Sequence, residues 1–281
     1  MSYGIDIRFG WSGDKVIKAD FNDEDILKPW NPKPGGSSDN GVWGYDNLGM
    51  FKTQADIDAY VSEYKITAVK NIDGSASYTP AQLRPGMLYY RDVRGAYLGN
   101  GQFAAPDGII DGNDRVQLAK KANSQYGLGT TLRFAYKSFS LNAVVNASFG
   151  GWSAIGSDVR KPLKSKIPQI VDNTVSLWND IYDPTVNPNG SMPNPAFADI
   201  NSEMSQFWEV NSFRIACRNI TLSYALPEKA LKAIKMSSCK LNLIGLNPFN
   251  LYNPYDFQEA NGSYLDYPTL RTISLGLNIG F

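Results

Sequence analysis

The chain has 281 residues, with 27 basic side chains against 27 acidic ones and an aromatic content of 12%. A formal net charge of zero leaves no basic excess for a phosphate footprint, which excludes nucleic acid as a partner. The chain has no histidine and only two cysteines, Cys217 and Cys239, so zinc-finger spacing and any catalytic arrangement built on an imidazole are excluded too.

No apolar run approaches the roughly 18 residues of a membrane-spanning helix. A barrel strand alternates apolar and polar residues, so the slightly negative mean hydropathy, -0.30, is equally compatible with one. Met1-Ser2-Tyr3-Gly4-Ile5-Asp6 carries no basic segment ahead of an apolar core, as an exported chain requires. The expectation is a fragment that lacks its true N-terminus.

Alternation with a period of two is the main signal along the chain. In residues 3–11 one face reads Tyr3, Ile5, Ile7, Phe9, Trp11, and the other Gly4, Asp6, Arg8, Gly10. After a short turn at 12–14, Ile17, Ala19 and Phe21 oppose Val16, Lys18 and Asp20 in a second predicted strand. Residues 126–136 and 139–149 form the clearest hairpin. Residues 213–226 make a long strand whose first half breaks parity at Arg214 and Arg218, a break that a bulge near Cys217 restores. Residues 240–247 and 271–281 complete a set of about seven strands. With a hairpin around 227–238, Cys217 faces roughly residue 248 and Cys239 lies too far along the sheet for a disulfide. Two free thiols are expected.

Strands of about 8–14 residues suit a tilted crossing of the hydrocarbon layer better than the shorter strands of soluble sandwiches. The non-apolar faces carry Gly, Ser, Thr, Asn and charges, as a wet lumen does. Short helical candidates at 53–62, 167–179 and 227–235 could not cover seven apolar faces. Connections at 12–14, 137–140 and 227–238 are short, whereas those at about 23–125, 150–212 and 248–270 are long. Short periplasmic turns opposite long extracellular loops are the outer-membrane pattern. Trp11, Tyr136, Phe139, Tyr224 and Phe281 then fall at periplasmic strand ends, and Phe21, Tyr126, Phe149 and Trp152 at or near the other ends, as two interfacial girdles. The predicted fold class is all-β: an antiparallel transmembrane β-barrel segment with long extracellular loops, covering residues 1–281. Seven strands cannot close such a barrel, and lipid does not tolerate open edges, so only part of a barrel is expected.

Several motifs resemble one family. Pro85-Gly86-Met87-Leu88-Tyr89-Tyr90-Arg91-Asp92 resembles the Pro-Gly…Tyr-x-Asp segment of the SusC/RagA-type, TonB-dependent outer-membrane transporters. After an apparent insertion, residues 96–106, Asp107-Gly108-Ile109-Ile110-Asp111-Gly112-Asn113-Asp114-Arg115 resembles that family's acidic loop ending in Asp-Arg. Phe207-Trp208-Glu209, Arg218-Asn219-Ile220-Thr221-Leu222-Ser223-Tyr224-Ala225-Leu226-Pro227, Gly245-Leu246-Asn247-Pro248-Phe249 and the terminal block from Tyr267 to Phe281 match further family segments in order. Asn47-Leu48-Gly49-Met50-Phe51 also fits. The resemblance implies the C-terminal part of a 22-stranded, plugged barrel in the outer membrane, with its C-terminus in the periplasm. It further implies a SusD-type surface lipoprotein as partner, TonB contacted through a region outside this chain, and import of oligosaccharides or peptides.

Two sets of residues are candidate sites. Asp92, Asp107, Asp111 and Asp114 supply hard oxygen ligands for a structural Ca²⁺, with Gly108 permitting a tight turn. They read equally as solvated acidic turns, and Arg94 stands where the family carries a ligand-type Asn. Trp43, Tyr45, Trp152, Trp178, Trp208, Tyr252 and Tyr255 lie in the long loops, where ring faces can stack on sugars or pack loops together. No other cofactor is expected. Asp23-Glu24-Asp25 and Asp56/Asp58 are not evidence of paired glycosidase carboxyls. Gly35-Gly36-Ser37-Ser38 and Gly127-x-Gly129 lack the context of a phosphate loop. No enzyme is expected. Two other functions remain open: a soluble β-sandwich carbohydrate-binding module, and a non-transporting outer-membrane adhesin barrel.

Overall fold

The computed structural model describes residues 1–281 apart from 19, 21, 162–175, 260, 261 and 263–265. Six long strands form one sheet: β1 (Ser2–Trp11), β2 (Tyr126–Tyr136), β3 (Phe139–Phe149), β4 (Arg214–Ala225), β5 (Ser238–Tyr252) and β6 (Thr272–Gly280). They lie side by side in chain order, each antiparallel to the next. Nine to fifteen residues per strand is the length a tilted membrane crossing requires.

The alternation explains the register. One cross-strand row runs Tyr3, Phe134, Leu141, Leu222, Leu243, Leu275. One residue along each strand the row becomes Gly4, Arg133, Asn142, Thr221, Ile244, Ser274. A slip of one residue in any pairing would carry a whole apolar set to the polar side. In β4 the predicted bulge is present: Val144 pairs with Asn219 and Val145 with Cys217, so Arg218 is the extra residue. Ile215 and Cys217 thereby join the apolar side despite their parity. Cys217 faces Phe249 and Cys239 faces Ile279, and both thiols are free.

The sheet has six strands rather than about seven. The predicted strand around residues 16–21 does not form among its described residues, and Ala19 and Phe21 lie outside them. Val16 instead donates its N–H to the Gly36 carbonyl at 2.7 Å and accepts from the Gly35 N–H at 2.8 Å. Asp14 caps the same turn by accepting from Ser37 Oγ and the Ser38 N–H, each at 2.7 Å. The backbone groups a ladder would need are therefore used locally.

Losing that strand moves Trp11 to the other end of the sheet. It shares a row with Tyr126 and Phe149, not with Tyr136, Phe139 and Tyr224, which form the row at the opposite end. The connection after β1 becomes a long one. All three long connections now leave from the Trp11 end. The tight β2–β3 turn, with Lys137 at φ 52°, and the β4–β5 link carrying helix α2 (Glu228–Ala233) lie at the Tyr136 end.

The stretches expected as loops are not structureless. The chain divides into two compact units: the sheet unit, comprising Met1–Ser12, Ser124–Gly150 and Ser212–Phe281, and a second unit comprising Gly13–Asn123 and Gly151–Asn211. The second unit has its own core, in which Tyr45, Phe51, Ile57, Tyr60, Leu88 and Tyr90 are all buried. Helix α1 (Gln54–Tyr64) realises the candidate at 53–62. It begins with a capping box: Thr53 Oγ1 accepts from the Asp56 N–H at 3.2 Å and Asp56 Oδ2 accepts from the Thr53 N–H at 2.8 Å. The candidate at 167–179 falls largely outside the described residues.

Removing the cap in Thr53→Ala is expected to lower the stability of the second unit by about 1 kcal/mol. Truncating the buried Ile57 to Ala is expected to cost about 2–5 kcal/mol. Urea titrations of the chain in detergent, followed by near-ultraviolet circular dichroism, measure both. A cost for Ile57→Ala below that for Thr53→Ala would contradict the core assignment.

Candidate functional site

The two sides of the sheet differ in chemistry. On one side large apolar side chains stand open: Tyr3 is 82% exposed, Ile5 61%, Ile273 79% and Leu275 72%. A contiguous patch spanning six strands far exceeds what a monomer presents to water. The other side forms a concavity of about 550 Å³ lined by Gly4, Arg133, Ser140, Asn142, Thr221, Ser223, Lys240 and Asn242, among others. Arg133 pairs with Asp6 across β1 and β2, and Ser223 Oγ donates to Asn242 Oδ1 at 2.7 Å. One face of the sheet is therefore apolar and the other polar and hydrogen-bonding.

The four candidate aspartates sit in the second unit, and each accepts from at least one backbone amide. Asp114, fully buried, accepts from the Val93 and Arg94 N–H groups through Oδ1 at 2.8 and 3.0 Å, and from the Asp111 N–H through Oδ2 at 2.8 Å. Asp92 Oδ2 accepts from the Gly108 N–H at 2.6 Å. Asp111 caps the turn Gly112–Asp114 by accepting from the Asn113 N–H at 2.8 Å. Asp107 accepts from the Ile109 N–H at 3.0 Å. Among the described residues no group of three or more acidic, cysteine or histidine side chains could hold a metal ion. The same carboxylates clip residues 92–94 to residues 107–114. Gly108 serves that clip: its φ is +78°, and a Cβ there would clash with the Lys65 carbonyl oxygen.

The candidate aromatics divide. Tyr45 and Trp208 are fully buried; Tyr45 donates to the Lys70 carbonyl at 2.9 Å and Trp208 Nε1 to the Asn201 carbonyl at 2.7 Å. Both rings pack in the core in this structure. Trp178 is half-buried, 6.0 Å from Trp208 between centroids. Trp43 is half-buried, its Nε1 on the Asn40 carbonyl, and Trp152 is exposed. Tyr252 and Tyr255 belong to the sheet unit, Tyr252 packing at 5.2 Å from Phe213 and Tyr255 at 5.8 Å from Phe257. Sequence reading missed Trp30. Its ring lies 6.4 Å from Trp43 and 5.7 Å from Phe103, the latter in a hairpin formed by Tyr97–Gly99 and Gln102–Phe103 within the apparent insertion. The Gly99-Asn100-Gly101 turn was the available signal for that hairpin.

Burial raises the Asp114 carboxyl to about 6, against the pull of its backbone donors, and the Asp92 charge adds to the rise. A raised folded-state value favours the protonated form, so the group's stabilisation is complete below the ordinary carboxylate range and is lost as pH climbs through about 6. The second unit is expected to lose stability between about pH 4 and pH 7. In Asp114→Asn that slope should flatten, even though the Asp111 amide loses its acceptor. Urea midpoints measured across this range test the point; an unchanged slope in the variant would assign the titration elsewhere.

No protein-family profile matches the chain. TonB-dependent receptor P3 of Formosa agariphila is 25% identical over 192 residues, which is 61% of this chain and 18% of that receptor. A structure of the RagAB peptide transporter matches with a TM-score of 0.53 at 14% identity, over 88% of this chain and 24% of that one. The RagAB peptide importer in its closed-closed state matches with a TM-score of 0.59 at 13% identity, over 99% of this chain and 27% of that one. The chain thus spans less than a fifth of the curated relative and about a quarter of the solved chains. It is a partial homologue of a TonB-dependent receptor, and its sheet of long antiparallel strands has the fold of one part of the RagAB barrel.

Proposed function

We propose that the chain is the C-terminal part of the barrel wall of a TonB-dependent importer in the outer membrane. The observation that carries this reading is the apolar face exposed across all six strands, opposite a polar concave face. In lipid that face is solvated; in water it would have to be covered by a second layer. Among the described residues β1 and β6 each pair along one side only, so both edges require further strands before the wall can sit in a membrane. Those strands, a lumenal plug and the TonB-contacting segment would come from a region outside this chain. The long connections, all at the Trp11 end, are extracellular on this reading, and the Tyr136 end and Phe281 are periplasmic.

The cargo is an oligosaccharide or a peptide, delivered with a SusD-type surface lipoprotein. Peptides are the cargo of the RagAB transporter, whose structures this chain resembles. The chain takes part in import rather than hydrolysis.

Native protein is expected to fractionate with outer membranes and to require detergent for extraction. A soluble monomer in detergent-free buffer would overturn the membrane reading. Neighbouring substitutions in β2 give a finer test. Leu132→Arg places a charge on the apolar face near the middle of the strand and is expected to cost about 2–4 kcal/mol in lipid vesicles. Thr131→Arg, on the polar face, is expected to cost less than about 1 kcal/mol. Equal costs would contradict the assignment of faces.

A further inference from the structure

The hairpin in the apparent insertion sets up an arrangement that neither the acidic clip nor the barrel wall uses. Arg115 lies over the Trp30 ring, its guanidinium carbon 3.9 Å from the centroid. Arg94 lies over the Phe103 ring at 5.1 Å. Trp30 and Phe103 touch each other, and Tyr97 supports Phe103 from within the hairpin at 5.1 Å. Tyr97 donates to Glu24 Oε2 at 2.8 Å, which fixes the hairpin against the segment carrying Trp30. All four residues, Arg94, Arg115, Trp30 and Phe103, are half-buried. The two cations are therefore held side by side on an aromatic floor, with part of each open to solvent.

Each guanidinium presents five N–H donors, and the protein uses few of them. Arg94 Nη2 donates to the Arg115 carbonyl at 3.0 Å, and Arg115 Nε to the Gly112 carbonyl at 2.8 Å. Among the described residues neither forms an ion pair with a carboxylate. The nearby acids each accept from backbone amides, Asp114 through both oxygens and Asp92 and Asp111 through one. Burial lowers the Arg115 value from the ordinary guanidinium one, and the neighbouring Arg94 charge lowers it further, against the opposite pull of Tyr45 and Asp111; a bound anion would offset the repulsion between the two cations. Lys28 offers a contrast. It also lies over an aromatic ring, Tyr97 at 5.3 Å, but Asp25 neutralises it at 2.6 Å.

We propose that Arg94 and Arg115 form a binding site for a carboxylate-bearing cargo molecule. Planar guanidiniums clamp carboxylates through paired, charge-assisted hydrogen bonds, and the ring floor keeps both planes from turning away. That the ligand is cargo rests on the importer reading; the site itself rests on the geometry of the second unit. Acidic side chains or the C-terminus of a peptide, and the uronic acids of an oligosaccharide, share the required group.

Isothermal titration of the full chain in detergent micelles tests the site with four probes: pentaglutamate, pentaglutamine, trigalacturonate and galactotriose. At least one carboxylated probe should bind, and bind about tenfold or more tighter than its neutral counterpart. Which one binds identifies the source of the carboxylate. Affinity for it should fall several-fold between about 50 and 500 mM NaCl. General attraction of anions elsewhere on the chain would be unaffected by the two arginine variants. Arg94→Gln and Arg115→Gln should each weaken binding about fivefold or more, with the unfolding midpoint of the second unit retained. If either variant unfolds, the salt dependence of the unaltered chain still decides. Failure of both carboxylated probes to bind, binding of neutral and charged probes alike, or insensitivity to salt would each overturn the site. The membrane reading is scored separately by fractionation, so loss of either leaves the other standing.

Discussion

The two-residue period of the extended backbone is the constraint on which the structure depends. In the inner strands the backbone N–H and C=O groups are committed to neighbouring strands, and in every strand each successive side chain is thrown to the opposite face. Five pairings hold one register across six strands, so apolar residues collect on one side and Gly, Ser, Thr, Asn and charges on the other. Where the sequence violates the period, in β4, the backbone inserts Arg218 as a bulge and the faces are preserved. Adding a residue to the backbone costs less than moving Ile215 and Cys217 to the wet side.

Much of this was legible because period-two patterning is a local property. The hairpin 126–149, the bulge near Cys217 and the free thiols all follow from parity and pairing. The strand at residues 16–21 was misread because three alternating pairs are too few to tell a strand from a loop. Whether Val16 enters a ladder depends on a turn at Gly35-Gly36, twenty residues away. Trp11 was assigned to the wrong end for the same reason, since one false strand reverses the direction of the one before it.

The second unit was less legible. Its core is built from short segments that meet only in three dimensions: Asn201, for example, accepts from the Leu88 N–H at 2.8 Å and donates to the Gly86 carbonyl at 3.0 Å. No window of sequence contains that contact. The acidic motif shows a different limit. Aspartates that bind a cation and aspartates that accept from backbone amides have the same spacing around glycine, because both need tight turns with carboxylates pointing inward. Only the positions of the oxygens separate the two. Tyr45 and Trp208 make the same point for aromatics: a ring in a long connection looks available until its burial is known.

The central claim is that one face of this sheet meets lipid and the other meets water. Single spin labels on cysteines introduced at residues 128–134 of β2, in lipid vesicles, read this directly. Collisions with oxygen, which partitions into hydrocarbon, should peak at positions 128, 130, 132 and 134, and collisions with a water-soluble nickel chelate at 129, 131 and 133. Two opposed oscillations of period two are the predicted result. In-phase profiles, or access to the chelate at every position, would contradict it.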